Sequence, residues 1–410
     1  MTERFNMLEK VSVEEAIKTL LEKVNIIGKE SIPLEEAAGR VLAFDLKAKA
    51  DIPPFDRSPL DGYAFRAQDS KGASKEKPLT LKILEEVPAG AIPTKEVTKG
   101  TAVKILTGAP IPKGADAVCA YELTEFSPVE VKIFSEFKSG ENIIYAGEDV
   151  KCGDLLAVAG TVIDTGLMGV LASENISEVE VFKQAKIAIV STGNELIEPG
   201  ESLKAGKIYN SNRFSLTAAL KKMGLVPVNL GNAGDDAETI AKLVKKGLET
   251  CDCLITTGGV SVGDYDKTPE AFEKAGATLL IKGVAMKPGM ACCYGEKDGK
   301  LLLGLSGNPA SSLINLYAVC MPALLKASGR KDFERKTFEV IAGSDFKKQS
   351  KADRFIRGKL ILRDGKAYID FPKNQGNVVL SSLIESDLIA LIPAASGPIE
   401  KGTILKAFRI

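Results

Sequence analysis

The chain has 410 residues, 45% of them hydrophobic and 26% charged, with 54 basic side chains against 54 acidic ones. That length suggests two to four domains of ordinary size, and a formal charge of zero disfavours a polyanion-binding surface, so nucleic acid is not an expected partner. There is no histidine, which excludes Ser-His-Asp and Cys-His catalysis and His-bearing zinc sites, and any intrinsic metal site is expected to be oxygen-rich, which suits Mg²⁺.

In chain order, "SVEEAIKTLLEKV" predicts a helix with Ser12 as N-cap and Glu15 completing a capping box. A mixed stretch with a proline-punctuated loop, "ADIPPFDRSPLDGYAF", follows. Short β-type runs then recur ("LTLKILEEV", "TAVKIL", "AVCAYEL", "VEVKIF") between Gly, Pro and Asn. They predict a small inserted β domain over residues 52–138. "GEDVKCGDLLAVAGTVIDTGLMGVLAS" returns to strand and helix.

Residues 183–328 differ. "KIAIVS", "LVPVNL", "CDCLITTG" and "ATLLIKGVAM" read as strands. Between and after them come predicted helices: "SNRFSLTAALKKMG", capped by Ser211 or Asn212 and stopped by Gly224, then "DDAETIAKLVKKGLE", "PEAFEKAG" and "NPASSLINLYAVCMPALLKASG". "MACCYGEKDGKLLLGL" reads as a hairpin around Lys297-Asp298-Gly299. Alternating strands and helices indicate a central doubly wound, parallel α/β domain. Residues 329–410 alternate strands with turns and predict a C-terminal β-barrel. No apolar run approaches the roughly 20 residues of a spanning helix, and the N-terminus carries no signal-peptide core, so a cytoplasmic protein without membrane contact is expected. Cys251-x-Cys253 and Cys292-Cys293 lie in apolar strand-like runs, where cysteine behaves as a small hydrophobe.

Ligands of open α/β sheets bind at the carboxyl ends of the strands, so the loops there hold the candidate residues. After "KIAIVS" come Thr192, Gly193 and Glu195; after "VPVNL" come Asp235 and Asp236, either of which also suits a helix cap. After "CDCLIT" come Gly258, Gly259, Ser261, Asp264 and Asp266; after "VAM", Lys287 and Pro288; after "LLLGL", Gly307, Asn308 and Pro309. No P-loop and no strand-linked G-x-G-x-x-G is present. Glycines and helix ends are expected to hold a phosphate, while Asp264 and Asp266 hold a divalent cation that reverses the local electrostatics.

"IPPFDRSPLDGYA", "ILTGAPIPKGADAV", "AGEDVKCGD", "IVSTGNEL", "TTGGVSVGDYD", "VAMKPG" and "LSGNPASSLINLY" occur in this order. In this the chain resembles the molybdopterin molybdenumtransferases, the MoeA family that includes the E domain of gephyrin. The resemblance implies a four-part subunit: a segmented, dimerising domain (1–51 and 139–182), the inserted β domain (52–138), a molybdopterin-binding α/β domain (183–328) and a C-terminal β-barrel (329–410). It implies a homodimer whose site is shared between subunits, with the molybdopterin adenylyltransferase and acceptor apoenzymes as further partners. The implied reaction inserts molybdate into adenylylated molybdopterin, with Mg²⁺, and releases AMP. Asp61 and Thr107 would reach across the dimer. Asp149, Glu195, Asp236 and Asp266 would hold the metal or order water. Gly258, Gly259 and Ser261 would bind the pterin phosphate, and Lys287 and Pro288 would border the oxyanion. Ser306, Met290, Gly283, Ala352 and Asn377 depart from residues common in the family at these places. Two alternatives therefore stand beside it: a non-catalytic molybdopterin-binding scaffold, and an insertase for another oxyanion such as tungstate.

Overall fold

Strands and helices alternate from Lys186 to Ala327 because buried β-branched runs are separated by capped amphipathic segments. The computed structural model describes residues 7–261, 266–349, 351–384 and 386–410. Ser12 Oγ accepts from the Glu15 N–H at 3.1 Å and opens the Val13–Lys23 helix. The cap of Ser211–Lys222 is Asn210, one residue earlier than expected, because its Oδ1 accepts from the Arg213 N–H. Gly224 follows that helix at φ 80°, as a stop residue should.

The central sheet has seven strands in the order Leu8–Val11, Thr278–Val284, Cys293–Lys297, Lys300–Leu305, Cys253–Thr257, Lys186–Ser191, Val226–Asn232. Six run one way; Cys293–Lys297 runs against them, so the sheet is mixed rather than wholly parallel. The cause is local. The Asp298-Gly299 turn, with φ 52° and 79°, joins Lys297 directly to Lys300 and leaves no room for a crossover. Side chains alternate between faces: Ile187 and Ile189 pack into one core, Ala188 and Val190 into another on the opposite face.

Pro309–Ala327 forms a 19-residue helix that opens into a π-turn over Leu316–Cys320. Contrary to the sequence expectation, it is long and apolar enough to cross a membrane, with mean hydropathy 1.3, yet 89% of it is buried inside the protein. A helix apolar all round belongs in a core when other elements cover every side. All seven cysteines are free thiols and six are buried; burial pushes Cys253 up to about 12, which fits packing rather than reactivity.

After the central sheet, Met286–Lys287 pairs in parallel with Asp353–Arg363, placing Lys287 beside Arg354. Asp353–Arg363, Lys366–Asp370, Phe338–Ala342, Ile404–Arg409 and Leu388–Ile392 then close into a barrel, the last strand returning to the first. Val340, Ile356, Ile369, Leu388 and Leu405 are among the residues that fill it. All these elements belong to one of two compact units, built from the chain up to Phe44, Ala159–Met168 and Glu178–Ile410. The other comprises Asp45–Val158 and Gly169–Ser177. Its six-stranded sheet runs Ala117–Ala120, Gly62–Phe65, Thr101–Ile105, Leu79–Val87, Glu130–Ile133, Thr124–Phe126.

Candidate active site

The C-terminal ends of four neighbouring parallel strands, Val226–Asn232, Lys186–Ser191, Cys253–Thr257 and Lys300–Leu305, face one cavity of about 540 Å³. It brings together Thr192, Gly193, Glu195, Gly258, Gly259, Ser261, Asp266, Gly307, Asn308 and Pro309. Thr192 is fixed by its own chain: its N–H and Oγ1 both donate to the Thr257 carbonyl, at 2.9 and 3.0 Å. Gly258 passes tightly over it. A Cβ at 258 would lie 2.6 Å from Thr192 Oγ1, and φ there is 98°. The Gly258 N–H is not bare, however, because it donates to the Leu305 carbonyl at 2.9 Å. The helix start is also partly satisfied: Asn308 N–H donates to Ser306 Oγ and Ala310 N–H to the Asn377 carbonyl.

The two neighbouring aspartates part company. Asp235 lines the cavity and accepts from the Asn194 N–H at 3.0 Å, which closes the Thr192–Glu195 loop. Asp236 caps Ala237–Thr250, accepting from Thr239 N–H at 2.8 Å and Thr239 Oγ1 at 2.7 Å. Those two bonds hold its carboxyl below the usual range. Glu195, Asp235 and Asp266 are the carboxylates lining the cavity among the described residues, and no three carboxylate or thiol groups among those residues converge into a closed metal cluster. Asp264 lies outside the described residues.

A second cavity, of about 350 Å³, adjoins the first and shares Ala291, Ser306 and Asn308 with it. Lys287 and Pro288 border it, joined by Lys348 and Arg354 from the C-terminal region. Three cations and, among the described residues, no carboxylate line it. Arg354 is half-buried over the Phe346 ring, its Nε has no hydrogen-bond partner, and burial lowers its pKa. Met290 and Asn377 also line this cavity.

Asp61, Thr107 and Asp149 belong to the other compact unit. Asp61 Oδ1 accepts from both the N–H and the Oγ1 of Thr107, each at 2.7 Å. The main-chain bond first, the hydroxyl bond next and the nearby Lys104 last hold the Asp61 carboxyl below its ordinary range. Asp149 is exposed and its N–H donates to the Ile52 carbonyl.

Residues 11–175 match the MoeA N-terminal region (domain I and II), 188–326 a probable molybdopterin binding domain, and 339–407 the MoeA C-terminal region (domain IV). The chain belongs to the MoeA, or molybdopterin molybdenumtransferase, family. It is 35% identical over 396 residues to the molybdopterin molybdenumtransferase of Staphylococcus epidermidis, covering 96% of this chain and 94% of that one. The Staphylococcus aureus enzyme of the same name is 35% identical over 393 residues, with 96% and 94% covered. The molybdopterin biosynthesis moeA protein of Pyrococcus horikoshii superposes with TM-score 0.85 at 34% identity, over 98% of this chain and 100% of that one.

Some residues that line the cavities carried no site signal in the sequence. Tyr209 and Asn210 line the first cavity just ahead of the Ser211–Lys222 helix, and Asn212, a cap candidate in the sequence, lines it as well. Asn212 Nδ2 donates to the Gly307 carbonyl at 2.8 Å and so ties one loop to another. Lys348 sits in a lysine-rich stretch that reads as ordinary surface charge.

Proposed function

We propose that this chain inserts molybdate into adenylylated molybdopterin with release of AMP. The observation that carries this reading is the pair of adjoining cavities: one lined by glycine loops and carboxylates, the other by Lys287, Lys348 and Arg354 without an acid among the described residues. A phosphate-bearing pterin suits the first, where Gly259 and Ser261 offer close main-chain and hydroxyl approach. A small tetrahedral dianion suits the second, since clustered cations neutralise it and Lys and Arg donate hydrogen bonds to its oxygens.

The donor set of the first cavity fits magnesium. Glu195, Asp266 and Asp235 are hard oxygen ligands, and Mg²⁺ is usually held by one or two carboxylates plus substrate phosphate and water, so a closed protein cluster is not required. Asp236 is the poorer ligand because helix capping already occupies it. When bound, the ion supplies neutralisation of charge on the phosphoanhydride. Lys287 and Arg354 hold and orient the oxyanion, and the loops from Gly258 and Gly307 fix the phosphate end. Asp61 and Thr107 are supplied by a second copy of the chain, so the working form is a homodimer.

Purified protein incubated with adenylylated molybdopterin, Mg²⁺ and molybdate releases AMP on this reading. Release no faster than without protein overturns it, and pterin binding without turnover would leave a scaffold. Adding tungstate in competition decides which oxyanion the second cavity prefers. Mixing Asp61→Asn with Asp266→Asn protein restores activity if the site is shared, and restores none if each copy works alone.

A further inference from the structure

A third cavity, of about 540 Å³, is lined by the Pro309–Ala327 helix and by the barrel strands Phe338–Ala342 and Ile404–Arg409. None of its residues belongs to the two cavities described above. Its floor is apolar: Met321, Leu325, Phe338 and Phe408. Its charge is unbalanced. Lys222, Arg330, Arg335, Lys336 and Arg409 face two carboxylates, Asp332 and Glu334. Arg330 and Asp332 cancel in a two-pronged pair at 2.9 and 2.8 Å, and Lys222 is taken up by the Ile410 main-chain oxygen.

Arg335 stands apart from these pairs. Its guanidinium lies over the Phe408 ring, 5.1 Å from the centroid, and makes no hydrogen bond or ion pair among the described residues. Glu14 attracts it from longer range, while burial pulls its pKa below the usual value. Tyr317 is 9% exposed and lines the same cavity, and its hydroxyl also makes no hydrogen bond among the described residues. Both groups open onto the same cavity with donors to spare, and an anion seated there would take hydrogen bonds from both.

We propose that this cavity binds a small amphipathic carboxylate, its head paired with the Arg335 guanidinium and the Tyr317 hydroxyl and its hydrocarbon body on the Met321–Phe408 floor. The planar guanidinium fork matches a carboxylate in two-pronged fashion. The apolar floor separates this ligand from inorganic phosphate or molybdate, which would leave that surface wet. The volume is that of a small-molecule site rather than of a protein interface.

The test is calorimetric titration of the full chain with octanoate, octanol and acetate. Octanoate should saturate one site, and octanol and acetate should bind much more weakly. Arg335→Met should weaken octanoate about tenfold or more, with Tyr317→Phe losing less and Arg335→Lys falling between. The proposal is overturned if octanoate fails to saturate, if octanol or acetate matches it, or if Arg335→Met binds it unchanged. Should Arg335→Met not fold, Arg335→Lys and Tyr317→Phe decide in the same way.

Discussion

Arg357→Met tests whether one buried cation holds the 374–384 segment against both candidate-site cavities. Arg357 is fully buried, and no carboxylate pairs with it among the described residues. Its Nε donates to Ser382 Oγ at 2.5 Å, and its Nη2 to the Gly376 carbonyl at 2.8 Å and, at the longer 3.5 Å, to the Val379 carbonyl. Nη1 has no partner, and burial lowers the guanidinium to about 10. The Gln375 amide clamps the Arg357 main chain on both sides, and the Asn377 carbonyl takes the Ala310 N–H at the head of the core helix. Two energies oppose each other in the variant. Losing the two short charge-assisted bonds costs about 1.5–3 kcal/mol each. Removing an unpaired buried cation returns several kcal/mol. Global stability should therefore change by less than about 2 kcal/mol. The local loss does not cancel, because both abandoned acceptors lie in one short segment. About 3 kcal/mol of lost anchoring makes its amides exchange about a hundredfold faster. Hydrogen-exchange mass spectrometry of the 374–384 peptide, beside a urea melt, reads both effects. Unchanged exchange in that segment together with a stability loss above about 4 kcal/mol would refute the reasoning, since Arg357 would then serve the whole barrel.

Gly258→Ala places a Cβ 2.6 Å from Thr192 Oγ1 and 2.8 Å from the Thr192 carbonyl at φ 98°. It should cost about 1–3 kcal/mol in a denaturant melt and abolish AMP release; a variant as stable and active as the parent contradicts this packing. Thr107→Val removes one of two bonds that depress the Asp61 carboxyl, so its midpoint, followed by carbon NMR, should rise toward the ordinary carboxylate value. A depressed carboxyl favours the folded state above its unfolded pKa and loses that contribution as pH falls through the folded value, so in the variant the contribution is smaller and its loss is complete at a higher pH. An unmoved midpoint counts against the bond. Asp236→Ala should lower the urea midpoint as a lost cap while leaving Mg²⁺ and pterin binding intact, and Asp235→Ala should weaken pterin binding by freeing the Asn194 loop. The reverse pattern in titrations would return Asp236 to the metal.

Much of this was legible in the order of residues. The 3.6-residue and two-residue periods, the cap at Ser12, the Asp298-Gly299 turn and the glycines at 258 and 259 are local signals, fixed by steric rules that act within a few residues. They located the central sheet, the terminal barrel and the loops that border the cavities. What they could not convey depends on partners far away in the chain. The Asp236 cap on Thr239 is local, but nothing near Asp235 tells that it turns inward, because that rests on Asn194, 41 positions away. Nothing near Lys348 marks it as a cavity cation until pairing of Met286–Lys287 with Asp353–Arg363 brings that region beside Lys287. The apolar Pro309–Ala327 run could equally have belonged to a membrane, and burial on every side settled that it is core. Local geometry is set by sequence neighbours, whereas burial and charge pairing are set by residues that meet only when the chain has folded.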